Sequence, residues 1–152
     1  MPRFLGEHRQ TVEIAAPLAK ALEHFASREA IVRNTDKVEK HEIRDDGTLR
    51  MLMEEENNQG IRFQGDYVQR YEIDGNTVKW STTESQNMWG KGTARFTELG
   101  DNRVRMDYHE TIEVEMNLNR FLAAIAKPIA NREIRKGIEG FVAKMTKDLE
   151  RQ

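Results

Sequence analysis

The sequence contains no cysteine. That excludes disulfides, thiolate zinc sites, iron–sulfur clusters and a cysteine nucleophile. It also lacks a charge excess of either sign. Lys and Arg number 24 against 26 Asp and Glu, for a formal net charge of −2. A dedicated nucleic-acid binder usually carries a clear basic excess, so no nucleic-acid partner is expected. No apolar run approaches the ~18 residues that read as a membrane span, so stable membrane insertion is not expected. The first residues, Met1-Pro2-Arg3-Phe4-Leu5-Gly6-Glu7, turn charged too early for a secretory signal. There is no Asn-x-Ser/Thr sequon, no GxxxxGK[ST] phosphate loop and no GxSxG nucleophile elbow. What is present is an ordinary globular composition, 38% apolar and 33% charged over 152 residues. The expectation is one domain over residues 1–152 in a cytoplasmic protein.

The periodicity changes along the chain. Thr11-Val12-Glu13-Ile14 alternates as a strand and ends at Ala15-Ala16-Pro17. Pro17 suits a helix first turn, and Leu18, Leu22, Phe25 and Ala26 follow at helical spacing. Ser27 is placed to cap a second short helix holding Ala30, Ile31 and Val32. From about residue 37 the period is two. Strands are predicted at Val38 to Ile43 and Leu49 to Glu55, followed by one long strand from Ile61 to Tyr71. Further strands surround Val78–Thr82, Gly90–Phe96 and Val104–Met116. Asp45-Asp46-Gly47, Asn57-Asn58-Gln59-Gly60, Asp74-Gly75-Asn76 and Gly100-Asp101-Asn102 supply the turns. A meander with one apolar and one polar face is an antiparallel sheet covered on one side.

The tail is helical, with two apolar stripes. Leu118, Phe121, Leu122 and Ile125 form the first, and Ile134, Ile138, Phe141, Met145 and Leu149 the second. At 100° per residue they point in nearly opposite directions. Pro128 lies between them and disfavours helix at Lys127. The expectation is a break, with a short flap-like helix at 118–126 and a main helix at 128–150. The alternative is one long helix packed on two sides, for example in a homodimer.

This order resembles the helix-grip fold of the START-related SRPBCC superfamily, which holds polyketide cyclases/dehydrases and lipid-transport proteins. The resemblance spans about residues 8–150. It is carried by Val12-Glu13-Ile14-Ala15-Ala16-Pro17 at the first helix, and by Gly92-Thr93-Ala94-Arg95-Phe96 followed by Gly100-Asp101-Asn102-Arg103-Val104. The short turn Asp45-Asp46-Gly47 departs from the glycine-rich loop of the plant allergen branch. The resemblance implies an α+β fold: an antiparallel sheet of six to seven strands, curved round a long C-terminal helix, with two short helices after the first strand. It also implies a cavity between sheet and helix that holds a small hydrophobic or amphipathic molecule.

Glu110 is the most informative residue, because it falls on the apolar face between Tyr108 and Ile112. A carboxylate there needs a partner, such as Arg132 or Arg135, or else a ligand or water. Burial would raise its pKa and suit it to acid–base chemistry, with Tyr108 as companion. Glu55 and Gln69 pose the same question. Tyr67, Tyr71, Trp80 and Tyr108 offer phenol and indole hydrogen bonds beside apolar rings. Met51, Met53, Met106 and Met116 share the apolar face and adapt to varied shapes. The candidate ligand-binding set is therefore Met53, Glu55, Tyr67, Gln69, Tyr71, Trp80, Met106, Tyr108, Glu110 and Ile138. The string His109-Glu110-x-x-Glu113 imitates a metal motif, but on a strand its first two side chains point to opposite faces, so no metal and no cofactor are expected. Arg120, Lys127, Arg132, Arg135 and Lys136 concentrate positive charge near Pro128. They form either a solvated helix face or a patch facing an anionic ligand.

Three functions fit. The first is a binding or carrier protein for a small hydrophobic or amphipathic molecule. The second is a polyketide cyclase/dehydrase-like enzyme using Glu110 and a tyrosine for proton transfer. The third is a protein-interaction module using its outer surface.

Overall fold

The computed structural model describes residues 1–152. The chain forms β1 (Arg3–Ile14), α1 (Leu18–Ala26), α2 (Arg28–Asn34), β2 (Val38–Ile43), β3 (Leu49–Met53), β4 (Glu56–Asn58), β5 (Ile61–Phe63), β6 (Asp66–Asp74), β7 (Thr77–Ser85), β8 (Met88–Gly100), β9 (Arg103–Glu115) and α3 (Arg120–Glu150). Seven strands make one antiparallel sheet in the order β1-β9-β8-β7-β6-β3-β2, and β4 and β5 form a separate hairpin. This is the α+β helix-grip architecture, with α3 lying in the concave face of the sheet.

Local chemistry accounts for most elements. Ser27 caps α2, its hydroxyl accepting from the Ala30 amide. Asp46 accepts from both the amide and hydroxyl of Thr48, and Gly47 takes the left-handed φ of 86° that its turn requires. The main core joins Ile14, Val78, Phe96, Val104 and Met106 of the sheet to Ile138, Val142, Met145 and Leu149 of α3. Burying each such side chain contributes roughly 1.5–3 kcal/mol. His24 of α1 is buried there too, its Nε2 sharing a hydrogen bond of 2.9 Å with the Met145 carbonyl oxygen.

Three expectations need correction. β1 begins at Arg3 rather than Thr11, because it pairs with β9 over its whole length. Its inner-face positions hold Gly6, His8 and Gln10, which hide the apolar alternation. The long strand from Ile61 to Tyr71 is divided. Ile61–Phe63 pairs back on Glu56–Asn58, and the sheet strand starts only at Asp66.

The third correction concerns Pro128. α3 runs unbroken from Arg120 to Glu150 with Pro128 inside it. Proline removes the hydrogen bond to the carbonyl four residues back, which is that of Ala124. Both Ala124 and Pro128 are exposed, so that carbonyl lies on the side of the helix open to solvent. The opposed stripes are reconciled without a break. The second stripe enters the core, whereas Phe121 stays 73% exposed and Leu122 and Ile125 are also exposed. Residues 118–126 are therefore not a separate flap.

α3 approaches β1 closely enough to forbid a side chain. A β-carbon on Gly6 would lie 2.3 Å from Ile134 Cγ2, whereas one on Gly100 would meet nothing within 4 Å. Gly6→Ala is expected to cost about 1–3 kcal/mol by forcing helix and sheet apart. Gly100→Ala is expected to stay within about 0.5 kcal/mol. Urea unfolding of both variants checks this, and equal midpoints would refute the close-packing account.

Candidate functional site

The sheet places one row of side chains across five strands. Tyr71 on β6 pairs with Trp80 on β7, Trp80 with Gly92 on β8, Gly92 with Glu110 on β9, and Glu110 with His8 on β1. Gly92 is the key to this row. A β-carbon there would lie 2.3 Å from Trp80 Cζ2. With no side chain at Gly92, the Trp80 indole lies across β8 and reaches the carboxylate two strands away. Its Nε1–H donates to Glu110 Oε2 at 3.1 Å. The Tyr108 hydroxyl donates to Glu110 Oε1 at 2.6 Å. Next to them the Tyr71 hydroxyl donates to Gln69 Oε1 at 2.6 Å. Tyr71, Trp80 and Tyr108 form a continuous aromatic stack, with ring centres 6.4 and 5.4 Å apart.

These groups form the inner wall of a cavity of about 470 Å³ between the sheet and α3. Small-molecule sites span about 300–1,000 Å³. Nineteen of its 34 lining residues are hydrophobic. The chain has only three tyrosines, Tyr67, Tyr71 and Tyr108, and all three line it. Glu110 is 9% exposed and no basic side chain pairs with it. Burial raises its pKa above the ordinary carboxyl value, and the hydrogen bonds from Tyr108 and Trp80 offset part of that rise. Burial also drives the Tyr108 and Tyr71 hydroxyls far above the usual phenol range, and Tyr67 rises for the same reason. All three phenols therefore stay protonated. Tyr67 is the one of them with no hydrogen-bond partner among the protein side chains, so its hydroxyl is left for whatever fills the cavity.

Among the candidate residues, Met53, Tyr67, Gln69, Tyr71, Trp80, Tyr108, Glu110 and Ile138 lie on the cavity wall. Two do not. Met106 is completely buried in the main core, at a sheet position below the cavity. Glu55 is exposed because the chain leaves the sheet after Met53, so Glu54 and Glu56 reach the rim instead. Arg132 and Arg135 do not pair with Glu110, and of the basic cluster on α3 only Lys136 reaches the cavity lining. The expectation of a basic patch greeting an anionic ligand therefore fails for Arg120, Lys127, Arg132 and Arg135. His109 faces the other side of the sheet, 2.8 Å from Glu7.

Sequence reasoning missed Gly137 and Gly140. Both line the cavity from α3, and a β-carbon on either would meet nothing within 4 Å. Their only sequence signal is two glycines within a helix, where each is unfavourable by about 1 kcal/mol relative to alanine. Ile61 and Phe63 of the β4–β5 hairpin also reach the lining, where the outer part of a sheet strand was expected.

The raised Glu110 pKa has a consequence for stability. A group held above its unfolded value contributes stability that is complete below that value, 4.5, and is lost as pH rises through the folded one. Glu110→Gln removes this loss while keeping the shape. The variant is expected to match the parent in acid and to exceed its melting temperature increasingly toward alkaline pH. Thermal melts across the pH range test this, and a gap that shrinks with rising pH would contradict it.

No protein-family profile matches the sequence, and no curated protein matches it. Solved structures do match. A START superfamily protein from Mycobacterium smegmatis aligns with a TM-score of 0.68 at 15% identity, over 95% of this chain and 97% of that one. The Zhui aromatase/cyclase of a Streptomyces species aligns at 0.66 and 16% identity, over 97% and 94% of the two chains. Norcoclaurine synthase from Thalictrum flavum aligns at 0.61 and 13% identity, over 98% and 96%. Identities this low speak to fold and not to activity. Together with the seven-stranded sheet gripping α3, they show that the chain has the START/SRPBCC fold.

Proposed function

We propose that the protein binds or carries a small, largely apolar molecule with a polar end, held between the sheet and α3. The observation that carries this reading is the cavity itself, roomy, mostly hydrophobic and ending in one cluster of polar groups. An apolar body would gain by leaving water, while Glu110, Tyr67 and Gln69 would fix its orientation. The absence of side chains at Gly137 and Gly140 supports it, since alanine there would strengthen the helix and reduce the space. The fold is in keeping with it, because its neighbours include a START protein, an aromatase/cyclase and a synthase.

One observation favours a second reading, an enzyme that moves a proton on a cyclising substrate. Glu110 is a buried acid with a raised pKa, facing the cavity beside Tyr67. A carboxylate in that position suits a general base, with Tyr67 as hydrogen-bond donor to developing negative charge. Tyr108 is less suited, because its hydroxyl is already committed to Glu110.

Gly140→Leu tests the binding reading without attacking the fold. Leucine is favoured over glycine in a helix by about 1 kcal/mol, so the melting temperature is expected to hold or rise. Gly140 lines the cavity, so a leucine there is expected to take up part of its space and weaken binding of a neutral dye such as Nile red by about tenfold. Fluorescence titration of parent and variant measures this. Failure of the parent to bind, or equal binding by both, would overturn the proposal.

A further inference from the structure

The cavity contains one carboxyl group that forms no ion pair with the protein. At its rim, Lys37 pairs with Glu56 at 2.6 Å, Arg132 with Glu133 at 3.5 Å, and Lys144 with Asp36. Glu54 and Lys136 are exposed there, where water screens them. Glu110 sits deeper, in no ion pair. The nearest base in its row is His8, across the β1–β9 pair. That ring is turned to other partners, with Nε2 at 3.0 Å from Gln10 Oε1 and Nδ1 at 3.7 Å from Glu139.

The hydrogen bonds on Glu110 leave room for a ligand at both of its oxygens. One donor reaches each oxygen, Tyr108 on Oε1 and Trp80 on Oε2. A carboxylate accepts at both, whereas in the protonated acid Oε1–H would donate to the Tyr108 oxygen instead. Either form satisfies both contacts, and a cation in the cavity would select the anion. A buried carboxylate in an apolar enclosure is costly until a positive charge meets it. Each oxygen retains a further acceptor position, and the unpartnered hydroxyl of Tyr67, a residue only 9% exposed, opens onto the same space. Aromatic rings on the same wall carry negative faces that attract a cation.

We propose that the natural ligand is an organic cation, a protonated amine on an apolar body, with its ammonium group set against Glu110 and the Tyr67 hydroxyl. This rests on the cavity-binding reading and adds the chemical class. The amine donates to the open positions of the carboxylate, and the Tyr67 oxygen accepts from a second N–H. The body lies along the apolar wall toward Ile112 and Ile138.

Naphthylmethylamine and naphthalenemethanol form a matched pair differing only in the ammonium or hydroxyl group. Isothermal titration of each near neutral pH is the test, with Nile red binding measured on the same preparation. The parent is expected to prefer the amine by about tenfold or more. Glu110→Gln is expected to abolish that preference, the amine falling to the affinity of the alcohol or below it. Equal or tighter binding of the alcohol by the parent overturns the proposal, as does a preference that survives in Glu110→Gln. If Nile red binds and neither naphthalene compound does, the amine class fails and the cavity reading stands. If Nile red also fails, the cavity reading falls and the proposal with it.

Discussion

A carboxylate held inside an apolar cavity is the constraint on which the rest of the site depends. Glu110 occupies an inner-face position of β9, where the sheet would otherwise present a hydrophobic side chain. Its burial is tolerable only with donors at both oxygens. Tyr108 supplies one from the same strand, two residues away. Trp80 supplies the other from β7, across an intervening strand. That span requires the intervening position, Gly92, to have no side chain. One glycine therefore decides whether an indole and a carboxylate meet, and the aromatic stack from Tyr71 to Tyr108 follows from the same placement.

The cavity persists because the residues around it decline to fill it. Gly90 faces it from the sheet, and Ala126, Ala130, Gly137 and Gly140 face it from α3. Below it, from Ile138 to Leu149, the same helix packs into a continuous core with Ile14, Phe96 and Met106. One end of the molecule is thus built for stability and the other for access. Proteins commonly accept such a loss of stability where a site requires space or buried charge.

Much of the fold was legible because period-two alternation survives wherever one sheet face is buried and the other wet. Val78-x-Trp80 and Val104-x-Met106-x-Tyr108-x-Glu110 read clearly for that reason. Legibility failed where the inner face departs from plain hydrophobicity. Gly6, His8 and Gln10 concealed the first half of β1, although β9 pairs with all of it. Pro128 looked like a terminator, yet it sits on the exposed side of the helix, where the carbonyl it leaves unbonded is not sealed from solvent. Glu110 stood out at once as a charge in an apolar row, whereas Gly137 and Gly140 did not, because an absent side chain carries no chemical signature.

By itself the sequence determined most of the element order, the buried face of the strands with plain alternation, and the presence of one acid and three tyrosines on such faces. These follow from local periodicity, which depends on neighbours two to four residues apart. Only the tertiary structure decided which of those residues share a space. It joined Trp80 to Glu110 over Gly92, removed Met106 to the core and Glu55 to the surface, and denied Glu110 the arginines of α3. Those outcomes depend on cross-strand register and on where one helix lies in a curved sheet, and both are set by contacts between residues far apart in the chain.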